Sequence, residues 1–400
     1  MYDVIIIGGG IAGLYTALKL VKTRKILLLE SSDKVGGRAN NIVFENTCVV
    51  TGAGIGRKKK DIILQNLLSF FKFPINEFMS RHIVDPSIVD PSIVDPSIVD
   101  PSVDPSVDPS FAIDFFLMIR ESYKKHPIHV TFKEFAISVI GKKNYQLFIE
   151  IVGFTDYENE DVERTLFSYG FEDNLTDWVG FSVPWSKLIL KMKEYIGDCI
   201  LVNSKVKQVY KKDNFYVKLN NGQEFISSKV VFATTIETVQ KIIPHMYDCI
   251  RSQPFLRLYG KFDPDSSIIM DKHIKGMTIV KGPLQKIIKM NKSVYMISYS
   301  DNKNARKLYH YTQNNLKNRS YLARLLEKTL GLQHNKLKLT SILGIYWKIG
   351  THYYRPVKKI DFYKLQRPVK DIFVVGEMVA ENQGWVEGAL KTVENVIDSL

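Results

Sequence analysis

A glycine-punctuated turn between two apolar runs constrains this chain more than any other feature. Val4 to Ile7 is apolar and leads directly into Gly8, Gly10 and Gly13. A helical pattern follows through Leu14, Ala17, Leu18 and Leu20, and a second apolar run, Ile26 to Leu29, ends on Glu30, 22 residues beyond Gly8. Strand, turn, helix, strand and acid in that order make a βαβ unit with a dinucleotide-binding fingerprint. Gly8 permits the tight turn, Gly10 lets a pyrophosphate approach the backbone, and Gly13 lets helix and strand pack closely. Ala12 lies in the same first helical turn, whose unpaired N–H groups and partial positive charge face the phosphates. Glu30 is placed to accept hydrogen bonds from a ribose and to repel a 2′-phosphate.

Four hundred residues exceed one typical domain, and hydrophobic and aromatic contents of 45% and 12% are ample for packed cores. No run approaches 18 apolar residues, so no transmembrane helix is expected. The chain starts in a strand with no basic region ahead of it, unlike a secretory signal. Cys48, Cys199 and Cys249 are odd in number and lack metal-ligand spacing. A reducing, intracellular, cytoplasmic setting without a metal site is expected. The net charge of +13 raises the question of a nucleic-acid partner. The basic residues are scattered, apart from short clusters such as Arg57 to Lys60, so a solvated basic surface is the expectation.

Residues 83–110 are a tandem repeat, Ile-Val-Asp-Pro-Ser four times and then Val-Asp-Pro-Ser twice. Proline at that frequency breaks helices and interior strands, which predicts an exposed loop insertion. Helices are expected over 111–125, 131–140 and 144–152. From Ile200 the pattern changes to short strands, over 200–203, 205–210, 215–219, 224–227 and 229–233. Residues 254–300 suggest a second sheet, 317–330 a helix, and 372–375 a buried strand ahead of Gly376-Glu377 and a terminal helix. The expected fold is α/β: a discontinuous Rossmann-like dinucleotide-binding domain with an interleaved α+β substrate domain. The nucleotide pieces are expected at 1–75, 185–245 and 341–400, and the substrate pieces at 76–184 and 246–340.

Gly36-Gly37-Arg38, the Val-Val-Phe-Ala run at 230–233, Gly376-Glu377 and the segment Gly384 to Leu390 together resemble the flavin-containing amine oxidoreductase family. That family includes the monoamine and polyamine oxidases. The resemblance covers 1–56, 184–240 and 340–400 and is thin between 60 and 180. It implies FAD as cofactor, with Gly37 and Arg38 along it and the cation facing its phosphate or flavin region. By the same resemblance Gly52 and Ala53 pass by the flavin, although the family often has an acid where Thr51 stands. Val206 matches the residue whose backbone meets the adenine. Glu377 corresponds to the acid near the ribityl and phosphate portion, and Trp385 and Val386 open a helix directed at the flavin pyrimidine ring.

On the substrate side the resemblance makes Trp385 one aromatic wall, and Tyr353 and Tyr354 are candidates from the aromatic stretch 346–354. His352 is a candidate base. Many family oxidases place a lysine against flavin N5; here Arg257 holds that position, and arginine presents a planar fork that does not lose its proton. No cysteine lies near 340–356, so the FAD is expected to be non-covalent. The expected activity is oxidation of a small-molecule amine by hydride transfer to flavin N5, with oxygen as acceptor. Two alternatives stay open: a desaturase or porphyrinogen-oxidase-like reaction, and a flavin-containing binding protein with little turnover.

Overall fold

Strand Tyr2–Ile7 lies at the centre of the computed structural model, which describes residues 1–85, 110–174 and 176–400. Val4, Ile5 and Ile6 are fully buried, because both faces of the sheet are covered. Its parallel core runs Ile372–Val374, Glu224–Phe232, Tyr2–Ile7, Ile26–Leu29, Ile200–Leu201. One face carries the helices Ile11–Leu20, Trp185–Ile196, Ile62–Phe70 and Val386–Val396, packed on Val4, Ile6 and Leu28. The opposite face packs Ile5, Ile7 and Leu29 against Phe215, Val217, Ile236 and Val239. The strands expected at 224–227 and 229–233 are one strand, Glu224–Phe232, that changes partners midway. Its first half pairs antiparallel with Phe215–Leu219 and its second half parallel with Tyr2–Ile7.

The second sheet has six strands in the order Leu339–Tyr354, Ile250–Phe262, Val294–Asp301, Lys286–Lys289, Met277–Ile279, His82–Val84. Alternation along Ile250–Phe262 buries Leu256 and Leu258 against the apolar residues of Pro264–His273 and Leu316–Thr329, leaving Phe255 and Arg257 for the side facing the nucleotide half. The placement of 341–354 in this sheet, not with the C-terminal nucleotide piece, corrects that boundary: Leu339–Tyr354 pairs along its length with Ile250–Phe262. The helices expected at 131–140 and 144–152 form one interrupted helix, Phe132–Val152, kinked where Gly141 takes φ 77°. With Ser110–Lys125 it builds a separate core around Phe116, Phe132 and Phe148.

The expected loop insertion lies, over 86–109, outside the described residues. Its first residues are not loop: Ile83 and Val84 belong to the edge strand His82–Val84, parallel to Met277–Ile279. Among the described residues no helix is long and apolar enough to cross a membrane.

Candidate active site

The first βα turn shows three different reasons for glycine. Gly8 has φ 110°, and a Cβ there would lie 2.3 Å from the Ala233 carbonyl oxygen. A Cβ on Gly13 would lie 1.9 Å from the Gly8 carbonyl oxygen. At Gly10 a Cβ would meet no protein atom within 4 Å. Gly10 borders a cavity, so the open space over it suits a group that must approach the backbone. Glu30 closes the turn: its carboxylate accepts from Gly9 N at 2.7 Å, Ser32 N at 2.8 Å and Ser32 Oγ at 2.7 Å.

From this turn one cavity of about 1330 Å³ reaches the second sheet. Gly8, Gly10, Ala12, Glu30, Gly37 and Arg38 border its nucleotide end, and Gly52, Ala53, Gly376, Glu377, Trp385 and Val386 its middle. Gly13 sits behind the turn as a packing residue. Val206 is not among the residues bordering the cavity; it is half-buried at the edge of the sheet, against the core that contains Ile5.

Glu377 organises the middle of the cavity. It accepts from His352 N at 2.9 Å, Gly384 N at 3.0 Å and Arg38 Nη1 at 3.2 Å, and His352 Nδ1 lies 2.7 Å away. Burial pushes this carboxyl up, but the charges of His352 and Arg38 and the donated hydrogen bonds outweigh it and hold the group at about 2. Arg38 also donates to the Gly350 carbonyl at 2.6 Å. His352 is buried and does not border the cavity, so it acts here on Glu377 and not on a ligand.

The second sheet grips the segment that crosses the cavity. Three successive carbonyls, of Val50, Thr51 and Gly52, accept from Tyr259 Oη at 2.7 Å, Trp347 Nε1 at 2.7 Å, and Arg257 Nη2 and Nε at 2.8 and 3.1 Å. Arg257 thus ties the two halves together as well as bordering the cavity. Its guanidinium carbon lies 4.3 Å from the centre of the Tyr299 ring.

Trp385 also borders the cavity, immediately ahead of Val386–Val396. Arg57 lies over its ring at 3.8 Å and forms a buried pair with Asp61 at 2.6 Å. Glu387, in the first turn of that helix, accepts from Ile63 N and Leu64 N at the start of Ile62–Phe70. Tyr353 and Tyr354 are not brought to the cavity, which follows their strand only through Thr351. Tyr354 is fully buried and donates to the Ala380 carbonyl at 3.1 Å.

Sequence reasoning missed most of the inner chamber: His82, Phe154, Phe255, Met277, Ile288, Met296 and Tyr299. They come from strands and loops whose alternation reads as ordinary core. Behind this wall lie Asp156, Asp301 and Lys286. Burial raises both carboxyls, and their mutual repulsion raises Asp156 further. Burial also drives the Lys286 ammonium well below the usual lysine range. Its Nζ has no hydrogen-bond partner and lies 2.9 Å from the centre of the Phe154 ring.

Residues 6–58 match the NAD(P)-binding Rossmann-like domain family. An uncharacterized protein of Acanthamoeba polyphaga mimivirus is 20% identical, over 99% of this chain and 93% of its own length. Among solved structures, wild-type putrescine oxidase bound to putrescine superposes with a TM-score of 0.75 at 14% identity, covering 100% of this chain and 98% of that one. A putrescine oxidase triple mutant redesigned in its cofactor binding gives 0.71 at 15% identity with the same coverage. At such identities the likeness is one of fold, and the chain has the mixed α/β fold of putrescine oxidase over its whole described length.

Proposed function

We propose that this chain is an FAD-dependent oxidoreductase that oxidises an amine. The observation that carries the reading is the single cavity joining the dinucleotide turn to an aromatic, largely apolar chamber, in a fold shared with putrescine oxidase. The residues fit the cofactor: open backbone at Gly10, an acid at Glu30 for a ribose, a cation at Arg38 and a helix N-terminus at Val386. Bound there, FAD supplies the hydride acceptor for the carbon next to the substrate nitrogen.

The protein's own work is positioning and exclusion of water. The Ile11–Leu20 and Val386–Val396 N-termini offer unpaired N–H groups, and Glu377 fixes Arg38. Trp347, Arg257 and Tyr259 hold the 50–52 backbone in register with the sheet. Phe154, Phe255, Met296 and Tyr299 make the inner wall dry, which favours neutral amine at the reacting end. The balanced reaction is amine plus oxygen plus water giving carbonyl compound, ammonia or a smaller amine, and hydrogen peroxide.

The test is the absorbance spectrum of purified protein before and after anaerobic addition of spermine, spermidine and simple monoamines, followed by peroxide release in air. A bound flavin that no amine bleaches would remove the amine reading. Oxidation of a carbon–carbon or ring bond is then the reading to take up, because Arg257 stands where the resembling oxidases carry a lysine.

A further inference from the structure

All six strands of the second sheet bring a side chain to the inner chamber: Trp347, Arg257, Tyr299, Ile288, Met277 and His82. Its electrostatics differ from what a diamine requires. Among the described residues the carboxylates bordering the whole cavity are Glu30, Asp173 and Glu377. Glu30 holds the Gly9 and Ser32 N–H groups, Asp173 pairs with Lys60 at 2.7 Å and Arg57 at 3.5 Å, and Glu377 pairs with Arg38 and His352. Asp156 and Asp301 stand behind the wall, where Tyr169, Thr155 and Gln285 donate to them. Among the described residues no bordering carboxylate is left to receive a distal ammonium.

Arg257 presents the opposite situation. It is 3% exposed and borders the chamber. Nε and Nη2 share one acceptor, the Gly52 carbonyl, Nη1 donates to the Met296 thioether sulfur at 3.3 Å, a weak acceptor, and the Tyr259 and Tyr299 hydroxyls are its uncharged polar neighbours. All of these partners are uncharged, and no ion pair among the described residues includes this guanidinium. A buried cation that keeps its proton and lacks a counter-charge is costly unless a ligand supplies one. The planar guanidinium suits a planar carboxylate as that counter-charge.

We propose that the substrate presents a carboxylate to Arg257, so that the amine oxidised carries an acid on an apolar skeleton. This rests on the amine reading for the reaction, though not for the anion subsite. Holoenzyme is titrated anaerobically with benzoate and benzamide, following the flavin band, and then with phenylalanine, phenethylamine and putrescine. Benzoate is expected to saturate about tenfold or more below benzamide, as for a hydrogen-bonded charge. Phenylalanine is expected to bleach the flavin at lower concentration than phenethylamine or putrescine. Met296→Glu, which supplies Arg257 with an internal carboxylate, is expected to abolish the benzoate preference while the flavin stays bound. Arg257→Lys, keeping charge without the fork, is expected to weaken it. Equal binding of benzoate and benzamide, or an unchanged ratio in both variants, overturns the proposal. So does preferential bleaching by phenethylamine or putrescine. Benzoate binding that both variants weaken, with no bleaching by any amine, upholds the anion subsite and sinks the amine reading instead.

Discussion

Glu377 and Asp301 are both buried carboxylates near one cavity, 7% and 4% exposed, yet their surroundings drive them in opposite directions. Glu377 faces an arginine, a histidine and two backbone N–H groups, and is held ionised. Asp301 accepts from Thr155 and Gln285, but it has Asp156 as an acidic neighbour and a lysine that reaches no hydrogen-bond partner. Burial therefore dominates and raises it. At the nucleotide end the protein completes its own electrostatics around a fixed charge. At the sheet end it leaves polar atoms short of partners, including His82 Nδ1 on the chamber wall. The first arrangement suits a resident cofactor; the second leaves room for a transient ligand to complete the contacts.

The largest expected effect breaks the nucleotide end. Gly13→Ala drives a methyl into the Gly8 carbonyl and is expected to cost about 3 kcal/mol or more, seen as loss of folded, flavin-bearing protein. Gly10→Ala meets no protein atom, so the melting temperature of the apoprotein should stay within a few degrees while bound flavin is lost. Equal loss of fold in both variants would contradict the division of labour in that turn.

Next in size is Glu377. Its carboxyl sits at about 2 in the folded chain against an ordinary 4.5. The folded value is the lower one, so the stabilisation is full above pH 4.5 and disappears as pH falls towards 2, amounting to about 3 kcal/mol. Glu377→Gln should lower stability at pH 7 by a similar amount and flatten the acid limb of a melting-temperature profile. An unchanged acid limb would show that Glu377 is not the group responsible.

The sheet end should show the opposite sign. Asp156 and Asp301 are raised, and Glu160, buried beside Thr165, is raised to about 8. A carboxyl whose folded value is raised is best tolerated protonated, so stability from these groups falls as pH climbs from the ordinary carboxylate range towards 8. Asp156→Asn removes part of that slope and should cost less than about 1.5 kcal/mol at pH 5, the worth of one hydrogen bond. Stability curves of variant and parent that run parallel between pH 5 and 8 would refute the reading. The smallest effect belongs to Tyr353→Phe, expected within about 0.5 kcal/mol and without influence on turnover, because this side chain does not border the cavity.

Legibility in the sequence followed the range of the interactions. The glycines, Glu30, Arg38, Gly376, Glu377 and Trp385 could be named because short motifs carry them, and all but Gly13 border one cavity. Tyr353 and Tyr354 lie in an aromatic-rich stretch that no short motif resolves. Which of its residues face the chamber depends on where the long strand Leu339–Tyr354 leaves the cavity. The chamber wall was invisible for a related reason: Met277, Ile288 and Tyr299 sit in alternating apolar strands that look alike whether they face a core or a ligand.

The sequence by itself determined the βαβ unit and its dinucleotide-binding fingerprint, since the turn, the helix and the acid lie within 30 residues and each needs only its neighbours. Arg257 was legible as a basic residue in an apolar strand, at the position where the resembling oxidases carry a lysine, but its partners were not. Only the tertiary structure brought it to the Gly52 carbonyl, the Met296 sulfur and the Tyr299 ring, residues separated from it by 205, 39 and 42 positions. A guanidinium takes its role from the groups that surround it; pairing across the sheet places Met296 and Tyr299, and the segment crossing the cavity brings the Gly52 carbonyl.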